Sequence, residues 1–234
     1  MIQYCIAYRN KTQKGAADGG GFDFDGGVTN SILQYCLSYD NEGAGVGLFQ
    51  YESASPWQNN IVRYNISVND GFASNGQGGI FIWNATDDPE KLKDCFIYNN
   101  TIYNNTGAAM TYEPKSINSG FHFFNNIFIA KDDFIEGIES SGIFEANNWY
   151  SLSTTKQTPL GINNQTILPR FKDIGNYALA DPRQLPLFDA FQLADDASPL
   201  KTAGIDLNQR FGWDTGEVDF NGRQILKTAI GACQ

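Results

Sequence analysis

The densest set of residues able to do chemistry is acidic. Asp18, Asp23 and Asp25 crowd one glycine-rich stretch, and Asp40 and Glu42 follow about one turn of chain later. If Phe22 and Phe24 face a core, period-two alternation puts Asp23 and Asp25 on the outer face of one strand, about 7 Å apart. Carboxylates at this spacing suit Ca²⁺, a hard cation that takes oxygen ligands, so Asp18, Asp23 and Asp25 form a candidate metal set. Asp23 and Asp25 equally suit the acid and base roles of glycoside hydrolysis. Acids beside glycines are also ordinary solvated turn residues, and the sequence leaves that reading open.

A second set is aromatic. When the strand-like runs are laid in register, Asp25, Phe49, Trp83 and Tyr112 fall in one outward column. Large rings on an outer face are unfavourable unless they are covered or used. Spaced one strand apart, they make a platform for sugar rings, with Gln50, Asn84 and Glu113 in the adjoining column to bond hydroxyls. The alternative is that loops 52–60, with Trp57, and 85–94 fold over these rings.

Other chemistries are disfavoured. The one histidine, His122, lies in Gly120-Phe121-His122-Phe123-Phe124, which alternates like a strand, so a Ser-His-Asp triad has little to build on. The cysteines Cys5, Cys36, Cys95 and Cys233 form no CxxC pair, which disfavours a zinc site; buried free thiols are expected. With 16 Lys+Arg against 26 Asp+Glu the net charge is −10, so no nucleic-acid partner is expected. No apolar run reaches the length of a membrane span.

The elements that must position these residues come from a repeat. Cys5, Cys36, Asn65, Asn100, Asn126 and Asn148 share a column in six similar segments, at spacings of 31, 29, 35, 26 and 22 residues. Each segment alternates apolar and polar residues over a few positions, the signature of a strand. A second strand-like run opened by small residues follows most of them, as in Gly45-Val46-Gly47-Leu48-Phe49 and Gly79-Ile80-Phe81-Ile82-Trp83. Several short strands per unit of about 22 residues predict an all-β chain wound as one coil per repeat. The 23 Asn and 24 Gly of the 234 residues then mark coil corners. An inward Asn there can bond its own turn and the Asn of the next coil.

The motifs Asn99-Asn100-Thr101-Ile102-Tyr103-Asn104-Asn105 and Asp18-Gly19-Gly20-Gly21-Phe22-Asp23-Phe24-Asp25-Gly26 resemble repeats of the right-handed parallel β-helix, pectate-lyase-like proteins. Ser198-Pro199-Leu200 with Ala203-Gly204-Ile205-Asp206 resembles their closing segment. The resemblance implies a right-handed parallel β-helix over 1–150. Several such families use Asp-bound Ca²⁺ to neutralise a uronate, with a Lys or Arg as base. For that role the candidates are Arg63, then Arg9, Lys11 and Lys14. The galacturonase branch would need an Asp-Asp pair and a Gly-His-Gly segment. Asp87-Asp88 and Asp132-Asp133 are present in expected loops, and Gly-His-Gly is not.

Residues 151–234 break the repeat and carry five of the eight prolines, so they read as a tail of the same domain that packs on the coils and caps them. Asp181 to Leu193 is expected to hold one helical turn. The sequons at Asn10, Asn65, Asn84, Asn99, Asn104 and Asn164 are expected by chance in so Asn-rich a chain, and Asn65 should point inward. The chain opens inside a repeat, so a longer parent exported by a bacterium is expected. The functional expectation is a carbohydrate-active protein, part of a lyase or hydrolase acting on an acidic or plant/algal-type polysaccharide. The alternative is a non-catalytic glycan-binding or adhesion domain. The expected state is a monomer.

Overall fold

The computed structural model describes residues 1–234 except 14–15, 17, 74–75, 114, 132, 138–141 and 155–157, and the backbone alone at 136. The chain repeats one three-strand round. The first round is β1 (Ile2–Gln3), β2 (Ile6–Tyr8) and β3 (Phe22–Phe24); the second is β4 (Ile32–Gln34), β5 (Leu37–Tyr39) and β6 (Val46–Gln50). The third is β7 (Trp57–Arg63), β8 (Ile66–Val68) and β9 (Ile80–Asn84); the fourth is β10 (Leu92–Tyr98), β11 (Thr101–Asn104) and β12 (Met110–Tyr112). The fifth is β13 (Ser119–Phe124), β14 (Ile127–Ala130) and β15 (Ile135–Glu136), and β16 (Ile143–Glu145) and β17 (Asn148–Ser151) begin a sixth.

Strands of equal place in successive rounds pair in parallel. They make three sheets, β1-β4-β7-β10-β13-β16, β2-β5-β8-β11-β14-β17 and β3-β6-β9-β12-β15. Strand alternation then fills the space between the sheets. Leu33, Val62, Ile97, Phe123 and Phe144 stack inward from the first, and Val46, Ile80 and Met110 from the third. Trp57, expected in a loop, instead opens β7; it is fully buried and its indole donates to Phe24 O at 3.0 Å.

The corners explain the asparagines. Between the first and second sheets the chain turns through one left-handed residue per round: Tyr4, Tyr35, Tyr64, Asn99, Asn125, Ala146 and Asn163, with φ between 51° and 55°. A side chain in this region costs about 1–2 kcal/mol. The next residue anchors the turn. Cys36 N donates to Asn65 Oδ1, and the Nδ2 groups of Asn65, Asn100 and Asn126 donate to Asn100, Asn126 and Asn147 Oδ1 at 3.0–3.1 Å. Each rung satisfies buried polar groups by repetition. The ladder runs through Asn147, not Asn148, and ends on Asn164, which accepts from Asn147 N. Asn148 holds the returning chain instead, bonding Ile167 N and O.

A second corner follows the same rule. Arg9, Asp40 and Asn69 are left-handed, and Asn10, Asn41 and Asp70 follow them. Asn10 N donates to Asn41 Oδ1, and Asn41 N to Asp70 Oδ1.

Beyond β17 the chain adds isolated parallel bridges, Ile162 beside Glu145 and Gln165 beside Asn148. It then runs back along the outside. Leu185, Phe191, Phe220 and Cys233 cover Leu37, Tyr39, Ile66 and Val68 of the second sheet. Trp213 packs on Phe96, His122 and Phe124 of the first, 4.4–5.7 Å between ring centroids. Two short 3-10 turns kinked at Gln184 span Pro182–Leu187, inside the segment expected to hold a turn. Among the described residues, the apolar clusters that join this tail to the strands draw on the first two sheets. The outer face of the third sheet lies outside them.

Candidate functional site: a groove on the third sheet

Register decides which side chains this face presents. Phe22, Val46, Ile80, Met110 and Ile135 form one inward row, and Phe24, Leu48, Ile82 and Tyr112 form another. The rows between and beside them face out: Asp23, Gly47 and Phe81, then Phe49 and Trp83. Asp25 follows Phe24 and Glu113 follows Tyr112, so both extend the Phe49–Trp83 row.

Gly47 makes this face a platform. A Cβ there would collide with the Phe49 ring, so the missing side chain lets that ring lie down over the sheet. Phe49 meets Phe81 at 5.6 Å and 71°, and Trp83 at 6.3 Å and 69°. Tyr51 meets Trp83 at 5.1 Å and 88°. Two hollows of about 260 Å³ each open along the rings. One is bounded by Tyr51, Phe81, Trp83 and Glu113, the other by Gly20, Gly21 and Asp23, and both share Asp18, Phe49 and Gln77.

The acids are electrostatically linked. Partial burial raises the Asp23 carboxyl above its ordinary range, and the charges of Asp25 and Asp18 raise it further. Burial also raises the Tyr51 phenol, with a hydrogen bond to the Asp25 carboxyl adding to it. Asp25 Oδ1 also accepts from Gly26 N at 2.9 Å. Among the described residues no three His, Cys, Asp or Glu side chains converge as a metal-ligand set.

Four expected site residues lie elsewhere. Tyr112 is fully buried in the core, because β12 pairs Met110 with Ile80, one place from the alignment assumed. Gln50 is fully buried; its Nε2 donates to Ser55 O and Lys91 O at 2.8 Å. Asn84 is buried and donates to Ile117 O at 2.7 Å and Asp88 O at 3.2 Å. Both tie down loops beside the groove instead of facing a ligand. Arg63 belongs to the first sheet; its guanidinium donates to Gln34 Oε1, Tyr98 OH and Asp214 O at 2.6–3.0 Å. It bonds the tail and does not face Asp23.

Of the other cations considered, Arg9 pairs with Asp40 at 3.8 Å, Lys11 is exposed, and Lys14 lies outside the described residues. Asp132 also lies outside them, and Asp88 caps a turn by accepting from Glu90 N. His122 stacks on Phe96 at 5.4 Å, and burial lowers its pKa. Phe49, Trp83, Glu113, Asp18 and Asp23 are brought together. Tyr51, Phe81 and Gln77 join them without having been expected. Period two pointed to Tyr51 and Phe81, each two places from Phe49 or Trp83; Gln77 sits in a loop with no such signal.

The sequence matches no protein-family model, and no curated protein is similar enough to serve as a relative.

Proposed function

We propose that this chain is a carbohydrate-binding protein of right-handed parallel β-helix, pectate-lyase-like architecture, with its glycan lying along the outer face of the third sheet. One observation carries the reading: Phe49, Tyr51, Phe81 and Trp83 line an open groove on a face the tail clusters leave bare, with carboxylates at its rim. The partly open rings of Phe49, Tyr51 and Trp83, with buried Phe81 packed beside Phe49, offer apolar faces for sugar C–H groups, and acids and amides beside them accept from hydroxyls. Trp83→Ala removes the central ring. Isothermal titration against a glycan panel should show binding lost with the β-sheet circular dichroism unchanged. Retained binding in the folded variant overturns the platform.

Hydrolysis is the second reading, favoured by the raised Asp23 beside Asp25 and Asp18. In a carboxyl pair of this kind the group whose pKa is raised is the one suited to protonate a leaving oxygen, and the other is suited to act as base or nucleophile. Asp23→Asn should then abolish reducing-sugar release and leave binding intact; a panel without turnover by the parent chain removes this reading. A lyase has less support, because the cation named as its base, Arg63, is committed to another face. A glycan polymer is met outside cells, so bacterial export belongs to the same proposal.

A further inference from the structure

The groove is described by its rings and by its charge, and the two point to one ligand chemistry. Phe49, Tyr51 and Phe81 meet their neighbours at 69–88°, so ring faces and edges surround the hollow instead of forming one flat wall. Crossed rings are the geometry that holds an ammonium group, through the negative faces of their π systems. Asp18 and Glu113 line the same hollow, and Asp23 lines the adjoining one. No Lys, Arg or His is among the described residues lining either.

A uronate would add negative charge where three acids already line the hollows. A neutral sugar would use the rings and leave the carboxylates without a counter-charge. A protonated amine uses both. We infer that the hollow between Phe49, Tyr51, Phe81 and Trp83 receives the ammonium group of an amino sugar, so that the glycan taken by this groove carries free amines. The inference rests on the glycan-binding reading and narrows its substrate class, away from the acidic polysaccharide expected from sequence.

The test is calorimetric titration of the whole chain at pH 5.5 and low salt. The probes are glucosamine oligomers, N-acetylglucosamine oligomers of equal length, and oligogalacturonate. The glucosamine oligomer should bind tightest, at least about 5-fold above its acetylated counterpart, and the uronate should bind least. Because the chain carries a net charge of −10, a cationic oligomer can also adsorb non-specifically. Glu113→Gln removes one rim charge and Trp83→Ala one ring; each should weaken the glucosamine oligomer by about 2- to 5-fold or more. Glu113→Gln should leave the acetylated oligomer unchanged, and Asp181→Asn, on the tail, should change neither.

Equal binding of acetylated and free-amine oligomers, or tighter binding of the uronate, overturns the ammonium site while the groove remains a glycan site. Glucosamine binding that survives both groove variants overturns the placement. Absence of binding by every probe overturns the ammonium site and leaves the broader glycan panel to decide the parent reading.

Discussion

Replacing Asp70 by asparagine should stabilise this protein at neutral pH and leave it unchanged near pH 4. Asp70 is fully buried at the second corner. Its Oδ1 accepts from Asn41 N at 3.0 Å and Asn41 Nδ2 at 2.8 Å, and its Oδ2 from the Ser67 hydroxyl at 2.7 Å. These bonds favour the ionised form, yet burial outweighs them and pushes the carboxyl up from 3.8 to about 6. Below about pH 4 the group is protonated both folded and unfolded, and contributes no pH dependence. Between about 4 and 6 the folded state keeps a proton that the unfolded chain has released, so stability falls as pH rises. Above about 6 the loss is complete. A shift of roughly two units at 1.36 kcal/mol each makes it about 3 kcal/mol.

Asparagine has the same shape and no charge. Its Oδ1 keeps both bonds from Asn41, and its Nδ2 meets a Ser67 hydroxyl able to turn and accept. The expected gain is about 1–3 kcal/mol at pH 7.5 and near zero at pH 4. Urea unfolding followed by circular dichroism, from pH 4 to 8 on both proteins, reads this directly. Glu145 behaves in the opposite sense: its bond to Arg210 holds it below its ordinary range, so its contribution is lost as pH falls. That term is common to both proteins and cancels in the difference. Parallel stability curves for the parent and Asp70→Asn would refute the burial argument. So would a variant less stable at every pH, because it would show the carboxylate bonds outweighing desolvation.

The remaining expectations test the ladder, the misplaced cation and the thiols. Asn126→Ala removes four side-chain hydrogen bonds, two with Asn100 and one each with Ile97 O and Asn147 Oδ1, and orphans the buried Asn100 N–H. It should cost about 3 kcal/mol or more by urea unfolding, against less than about 0.5 for exposed Asn105→Ala. Arg63→Met should lose about 2–4 kcal/mol of stability and leave glycan affinity unchanged; lost binding in the folded variant would restore Arg63 to the site. In the native protein iodoacetamide should modify exposed Cys5 alone. Burial pushes Cys36 to about 12 and Cys95 and Cys233 well above their ordinary value, and rapid native labelling of any of these three by mass spectrometry would contradict it.

Much of the winding was legible because its two signals are local. Strand alternation sets which residues face in, and Asn marks the corners. The errors are single-residue slips, and each has a cause. In Asn99-Asn100 and Asn125-Asn126 the first Asn takes the left-handed turn and the second joins the ladder. Asn147-Asn148 looks the same, but there Ala146 takes the turn and Asn147 the ladder. Two adjacent asparagines cannot reveal which one is the rung. At Tyr112 the small residues Ala108 and Ala109 allow two alignments with Gly79, and one place reverses every face of a strand. Arg63 was beyond reach for another reason: one of its three partners, Asp214, comes from far along the tail.

The misassigned residues sharpen the account of the groove. Gln50 and Asn84 were expected to touch a ligand because each directly follows an outward aromatic. Their carbonyl partners show why that position recurs. Gln50 fixes the loop after β6 through Ser55 O, and reaches Lys91 O before β10. Asn84 fixes the loop after β9 through Asp88 O and joins it to Ile117 O. An unpaired buried amide would cost about 1–3 kcal/mol, so these bonds hold the loops firmly. Tyr51 begins the first of those loops, which is how its ring comes to stand against Trp83. The aromatic face is thus built by register from below and by buried amides from the side. A Gln50→Ala variant that still folds should therefore weaken glycan binding through Tyr51, although Gln50 itself has no surface with which to touch a sugar.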